Sequence, residues 1–190
     1  MIEDIRSRLL KSVDVKVKAA ETCAESVARA TEMLIACLKA DHRIYLCGNG
    51  GSAADCQHVA GELVNRFLID RDALPAVALT TDTSILTSVA NDYDFEEVFA
   101  RQVSALVREG DCLVAISTSG SAANVLKAAA AAHAQGAAVI ALTGETGGQL
   151  AKLADCLIAA PSDETPLVQE THITLLHILC EQIEKALFQA

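Results

Sequence analysis

Five short apolar runs fix most of what this chain can become. Ile44-Tyr45-Leu46, Ala76–Leu79, Cys112–Ile116, Ala138–Leu142 and Cys156–Ala160 alternate with longer stretches of helical character. That alternation is the signature of βαβ units, which line their strands into one open parallel sheet with helices over its faces. Composition agrees. Hydrophobic residues make up 52 % and aromatic residues only 3 %, so the core is built from Ala, Leu, Val and Ile, as suits a buried parallel sheet. At 190 residues the chain is long enough for one domain with a full core and rather short for two. No linker, charge block or low-complexity tail divides it, so residues 1–190 read as a single domain.

Local signals place the helices. Residues 3–40 form one or two amphipathic helices with Leu9, Leu10, Val13, Val17, Met33, Leu34, Ile35 and Leu38 as the apolar stripe. They pack against the first strand or against another copy of the chain. Asp82 is the expected N-cap of the helix after the second run, and Asn91-Asp92-Tyr93-Asp94 is the expected turn. The Ala-rich segment ends at Gly136. Thr165 caps the last helix, with Pro166 at its first position.

In open α/β sheets ligands gather at the carboxyl ends of the strands. Those ends carry Gly48–Ser52, Thr80–Asp82, Ser117–Ser121 and Thr143-Gly144, and three of the four are rich in Ser and Thr. In Cys47-Gly48-Asn49-Gly50-Gly51-Ser52, three glycines and an Asn let the backbone turn sharply and bring N–H groups to an anion at a helix N-terminus. The spacing is not G-x-G-x-x-G, and no Lys follows the glycines, so neither a dinucleotide fingerprint nor a P-loop is present. Taken alone, the loop could be a tight structural turn. Ser117-Thr118-Ser119-Gly120-Ser121 offers four hydroxyls beside a helix start, a neutral anion cradle or an ordinary N-cap. Together the two loops favour a phosphate.

The formal charge of -10 argues against nucleic acid or an anionic membrane as a partner. Any phosphate is therefore held locally, against the overall field. Seven Cys, odd in number and without a C-x-x-C pair, lie mostly in apolar runs and fit a reduced, cytoplasmic compartment. The N-terminus starts with acidic residues and lacks a signal-peptide apolar region. The apolar zone from Ala122 to Leu142 is broken by Lys127, His133, Gln135 and Gly136 and does not read as a membrane span.

His58 and Glu62 stand four residues apart and share one helical face. They could bind a divalent metal or form a surface pair. In the last helix Gln169-Glu170-Thr171-His172 precedes His177, which sits among Leu175, Leu176, Ile178 and Leu179. An imidazole there needs either a core hydrogen bond or a functional reason. Gln169 and His177 are about 12 Å apart along a straight helix. One ion can reach both only through extended side chains, or through residues from two copies, which points to a site at a subunit interface.

Taken together, Asn49-Gly50-Gly51-Ser52-Ala53-Ala54-Asp55, His58…Glu62, Asn91-Asp92, Ser117-Thr118-Ser119-Gly120 and Gln169-Glu170-x-His172…His177 resemble the sedoheptulose 7-phosphate isomerases of the sugar isomerase (SIS) domain superfamily. The resemblance runs nearly end to end. It implies a three-layer α/β/α sandwich with a five-stranded, flavodoxin-like parallel sheet plus N-terminal helices, and a homotetramer. It also implies conversion of sedoheptulose 7-phosphate to D-glycero-D-manno-heptose 7-phosphate, the first step towards ADP-heptose for lipopolysaccharide core or other surface glycans. By the same resemblance His58, Glu62, Gln169 and His177 match zinc ligands, and Glu62 and His177 an acid/base pair. Asn49, Gly50, Gly51, Ser52, Glu62, Asn91, Asp92, Ser117, Thr118, Ser119 and Gln169 match substrate contacts. One position departs: Ala122 stands where the family usually has Ser, and Ser121, one place earlier, is the candidate replacement. Two other readings are an isomerase of another sugar phosphate and a non-catalytic adaptor of replication initiation. The adaptors lack the Glu and the final His, which this chain keeps.

Overall fold

The computed structural model describes residues 1–189. Each apolar run is a strand: β1 (Ile44–Gly48), β2 (Ala76–Ala78), β3 (Cys112–Ile116), β4 (Ala138–Thr143) and β5 (Cys156–Ala159). All neighbours pair in parallel, in the order β2-β1-β3-β4-β5. The helices are α1 (Ile2–Thr22), α2 (Ala24–Lys39), α3 (Gly51–Val64), α4 (Thr83–Asp92), α5 (Val98–Leu106), α6 (Ala123–Ala134) and α7 (Thr165–Phe188). Strand side chains alternate between faces. Ile44, Leu46, Val114, Ile116, Ile140 and Leu142 pack against α2, α3 and α7. Tyr45, Leu113, Ala115, Val139 and Ala141 pack against α4, α5 and α6. This is the expected three-layer sandwich, and all seven cysteines are free and buried in it.

The strand order places the ligand region. From β1 the chain winds outward to β2 at one edge. From β3 it winds the other way to β5. Where the direction reverses, the carboxyl ends of β1 and β3 part and leave a crevice. The glycine loop follows β1 and the hydroxyl-rich loop follows β3, so the two expected anion loops flank that crevice.

Three local expectations are corrected. Asn91 and Asp92 are the last residues of α4, and the chain turns only at Tyr93. Ser117–Ser121 precedes α6 without opening it: Ala122 holds the N-cap position and makes no side-chain cap bond. Thr165 is the first residue of α7 and Glu164 its N-cap residue. The Glu164 carboxylate turns away from the helix because Arg8 and Lys11 of α1 draw it into ion pairs. Asp82 does cap α4, its carboxylate accepting from the Ile85 N–H at 2.9 Å.

α1 touches the body of the protein along a narrow strip around Val15 and Ala19. Its apolar stripe, Ile2, Ile5, Leu9, Val13 and Val17, stays exposed, with Leu9 65 % accessible. No described helix is long and apolar enough to cross a membrane.

His172 lies on α7 in the core, fully buried. Its Nε2 is 2.9 Å from the Thr143 carbonyl, so that nitrogen carries the proton and donates. Nδ1 has no partner. Burial lowers the pKa from the ordinary 6.5, and the Thr143 bond only partly opposes this. A group that titrates lower in the folded chain than in the unfolded one stabilises above the unfolded value and loses that contribution as pH falls. Stability should therefore drop as pH falls below 6.5. His172→Gln keeps a donor for Thr143 and should flatten that slope in denaturant unfolding measured between neutral and mildly acid pH, even where it lowers stability at neutral pH.

Candidate active site

At the crevice, Asn49, Ser52, Ser117, Thr118, Ser119, Ala122 and Gln169 line a cavity of about 130 Å³. Two helices aim their N-termini at this end of the sheet. α3 starts after Gly50, whose φ of +54° lets the chain leave β1 and enter the helix at once. Neither α3 nor α6 has a side-chain cap bond, so the free N–H groups of both first turns are left for a ligand. Asn49 is fixed by a reciprocal amide pair with Asn124, each Nδ2 donating to the other's Oδ1 at 2.8 Å. Gln169 crosses from α7 to the glycine loop. A Cβ on Gly51 would stand 2.7 Å from the Gln169 amide nitrogen, so a larger residue there would push that side chain aside.

Further along the same two helices, His58, Glu62 and His177 meet. Nε2 of His177 is 3.0 Å from Nε2 of His58, and that atom is 3.1 Å from Oε1 of Glu62. One potential ligand atom from each residue lies within 4.8 Å of the other two. A tetrahedral ion with bonds of about 2.0–2.1 Å needs donors spaced on this scale. One chain supplies all three, so no second copy is required to assemble them. Gln169 instead belongs to the cavity at the glycine loop. Phe67 stacks on His177, with ring centroids 5.5 Å apart and planes 18° apart. Close by, Asp55 keeps a buried carboxylate oxygen without a partner. Burial raises its pKa, while His58 and His177 pull it back. An orphaned carboxylate oxygen beside converging imidazole and carboxylate donors fits a cation.

The same two helices carry both regions: α3 holds Ser52, His58 and Glu62, and α7 holds Gln169 and His177. Along α3, His58 lies about 9 Å and Glu62 about 15 Å from Ser52, and along α7 His177 lies about 12 Å from Gln169.

Three residues expected as contacts lie outside this cavity. Ser121 is exposed, its hydroxyl donating to the Ser119 carbonyl at 3.4 Å, and it does not line the cavity; Ala122 lines it instead. Asn91 and Asp92 sit exposed at the end of α4, bonded to each other at 2.8 Å. Asn124, Asp55 and Phe67 were not singled out from the sequence as site residues. Asn124 and Asp55 each stand within the first five residues of a helix that follows an anion loop, a position that could have flagged them.

The SIS domain family model matches residues 10–144. Curated phosphoheptose isomerases of Shewanella sp. (strain ANA-3) and Shewanella baltica (strain OS155) are each 47 % identical over 191 residues, spanning 99 % of this chain and 97 % of theirs. Among solved structures, phosphoheptose isomerase GmhA from Neisseria gonorrhoeae superposes with a TM-score of 0.92 at 45 % identity, covering 96 % of this chain and 98 % of that one. A phosphoheptose isomerase from Francisella tularensis gives 0.94 at 37 % identity, covering 97 % and 98 %.

The cavity wall yields a direct test. Ala122→Ser adds a hydroxyl to a residue that lines the cavity, and one neutral hydrogen bond contributes about 1 kcal/mol, or roughly fivefold in affinity. Titration calorimetry with inorganic phosphate should show tighter binding by about that factor. Ser121→Ala should leave the affinity unchanged, because its hydroxyl faces solvent.

Proposed function

We infer that this chain, which belongs to the SIS domain family, is an aldose–ketose isomerase that converts sedoheptulose 7-phosphate to D-glycero-D-manno-heptose 7-phosphate. Its 47 % identity to curated phosphoheptose isomerases over nearly the whole length is the observation that carries this reading. The site supports it: an anion cavity and a carboxylate–imidazole pair are spaced for an extended seven-carbon sugar phosphate. The product would feed ADP-heptose synthesis for lipopolysaccharide core or another surface glycan.

We assign the phosphate to the free N–H groups of α3 and α6 and to Ser117, Thr118 and Ser119. Asn49, Gly50, Gly51, Ser52 and Gln169 would hold the sugar between the two ends. Isomerisation moves a proton between C1 and C2 through an enediolate, which needs a base over the carbons and an acid by the oxygens. Glu62 is proposed to take the proton from C1 and return it to C2. His177 is proposed to donate to the C2 oxygen and accept from the C1 hydroxyl, work that suits an imidazole near neutral pH. Asn91 and Asp92 as substrate contacts rest on the family resemblance alone.

Two imidazoles and a carboxylate are a zinc donor set, and His58, Glu62 and His177 would hold that ion, with Gln169 as the resemblance's fourth ligand. Bound there, zinc would supply the polarisation of the substrate oxygens otherwise asked of His177. The exposed stripe of α1, Ile2 to Val17, supports a homo-oligomer in which copies cover it, and a homotetramer is proposed. The unpaired buried cysteines support a cytoplasmic location.

Glu62→Gln should fold as the parent does and lose about two to four orders of magnitude in kcat in a coupled assay with sedoheptulose 7-phosphate. Retained turnover would refute the base assignment. Zinc should raise the unfolding temperature of the parent protein, because a ligand bound only by the folded state stabilises it. His58→Ala should abolish that rise.

A further inference from the structure

A buried ion pair lies behind the site, outside the assigned machinery. Arg71, in the loop after α3, pairs with Glu184 of α7 at 3.0 Å, and their side chains are only 2 % and 3 % exposed. Both are heavily bonded. Glu184 accepts from the backbone N–H groups of Phe67 and Leu68 at 2.9 Å and of Ile69 at 3.3 Å. Arg71 donates to the carbonyls of Glu62 at 2.8 Å, Leu63 at 2.6 Å and Asp72 at 2.9 Å. A buried pair with this many partners is well satisfied, and its removal would leave an uncompensated charge.

The location gives the pair a second consequence. Arg71 caps the last carbonyls of α3, where a cation is favoured, and one of those carbonyls belongs to Glu62. Glu184 stands seven residues after His177, hence two turns along the same face of α7. The three N–H groups it holds begin at Phe67, whose ring lies flat on His177. We infer that Arg71 and Glu184 form a clamp that positions both members of the proton-transfer pair, Glu62 through its own carbonyl and His177 through the ring of Phe67. Neither clamp residue touches the reacting region; each is a positioning residue. The inference rests on the isomerase reading for its kinetic consequence, but its geometric content stands apart from turnover.

The test compares the full-length parent with Phe67→Leu, Phe67→Tyr and Glu184→Gln. Two readouts are taken: kcat and KM for sedoheptulose 7-phosphate, and the ring-proton NMR resonances of His177. Phe67→Leu should lower kcat by about ten- to a hundredfold with KM little changed, as expected for misplacing a reacting group without removing it. It should also remove the ring-current shift on His177, and Phe67→Tyr should restore both. Glu184→Gln should move the His177 resonances although Glu184 does not touch that ring. Where Glu184→Gln fails to fold, Arg71→Lys takes its place, keeping the charge and losing the fork. Unmoved His177 resonances in the folded variants would overturn the clamp, whatever the rates. Wild-type kcat in Phe67→Leu would overturn its bearing on the reaction. A parent protein without isomerase activity would refute the isomerase reading, and the NMR comparison would still decide the clamp.

Discussion

The packing of α3 alongside α7 is the constraint from which the site follows. The two helices are joined at three levels. Gly51 meets Gln169 at the crevice, His58 meets His177 in the middle, and the carbonyls of Glu62 and Leu63 reach Glu184 through Arg71 at the far end. Matching contacts in the same order along both chains require that the helices run in the same direction. They do so because both leave the carboxyl-end side of a parallel sheet and pack on the same face of it. Residues more than a hundred positions apart in the chain therefore come to lie at matching depths, with Gly51 and Gln169 at the helix starts and His58 and His177 further down.

The sheet was largely legible in the sequence because its signal is local. A fully buried strand shows as a short continuous apolar run, and all five runs became strands within about two residues. The caps were harder. Asp82 caps α4 as its position suggests, but Thr165 does not cap α7, because the neighbouring Glu164 is held by two cations of α1. A tertiary ion pair decided a local choice, and nothing in the local pattern announces it. His177 and His172 reverse the simple expectation for an imidazole among leucines. His172 makes the core hydrogen bond, and His177 turns to His58, since five residues along a helix separate two side chains by about 140°.

Much of the site was visible only through pattern. His58 and Glu62 share a face by spacing alone, but their meeting with His177 depends on how α7 lies. Asn124, Phe67, Arg71 and Glu184 carried no periodic signal, since an amide pair 75 residues apart and an ion pair 113 apart are tertiary facts. Ser121 is the opposite case. Its place in a hydroxyl-rich run suggested a cavity contact, but its hydroxyl turns back to the Ser119 carbonyl. A serine in a tight turn commonly prefers its own backbone to a ligand.

The charge balance bears on how the cavity can work. The chain carries a formal charge of -10, and among the described residues no Lys or Arg lines the cavity. A phosphate there meets hydroxyls, amides and two helix N-termini inside an unfavourable overall field. Fixed dipoles at contact distance outweigh distant charges, because charges further away than about 8 Å are largely screened at physiological ionic strength. Helix-end donors also carry geometry that a flexible lysine lacks: they sit where the backbone puts them, and the backbone is set by β1 and β3 in the centre of the sheet. A neutral cradle thus trades electrostatic depth for position. Position is what a proton transfer requires, because a ligand fixed by rigid donors presents the same atoms at every encounter.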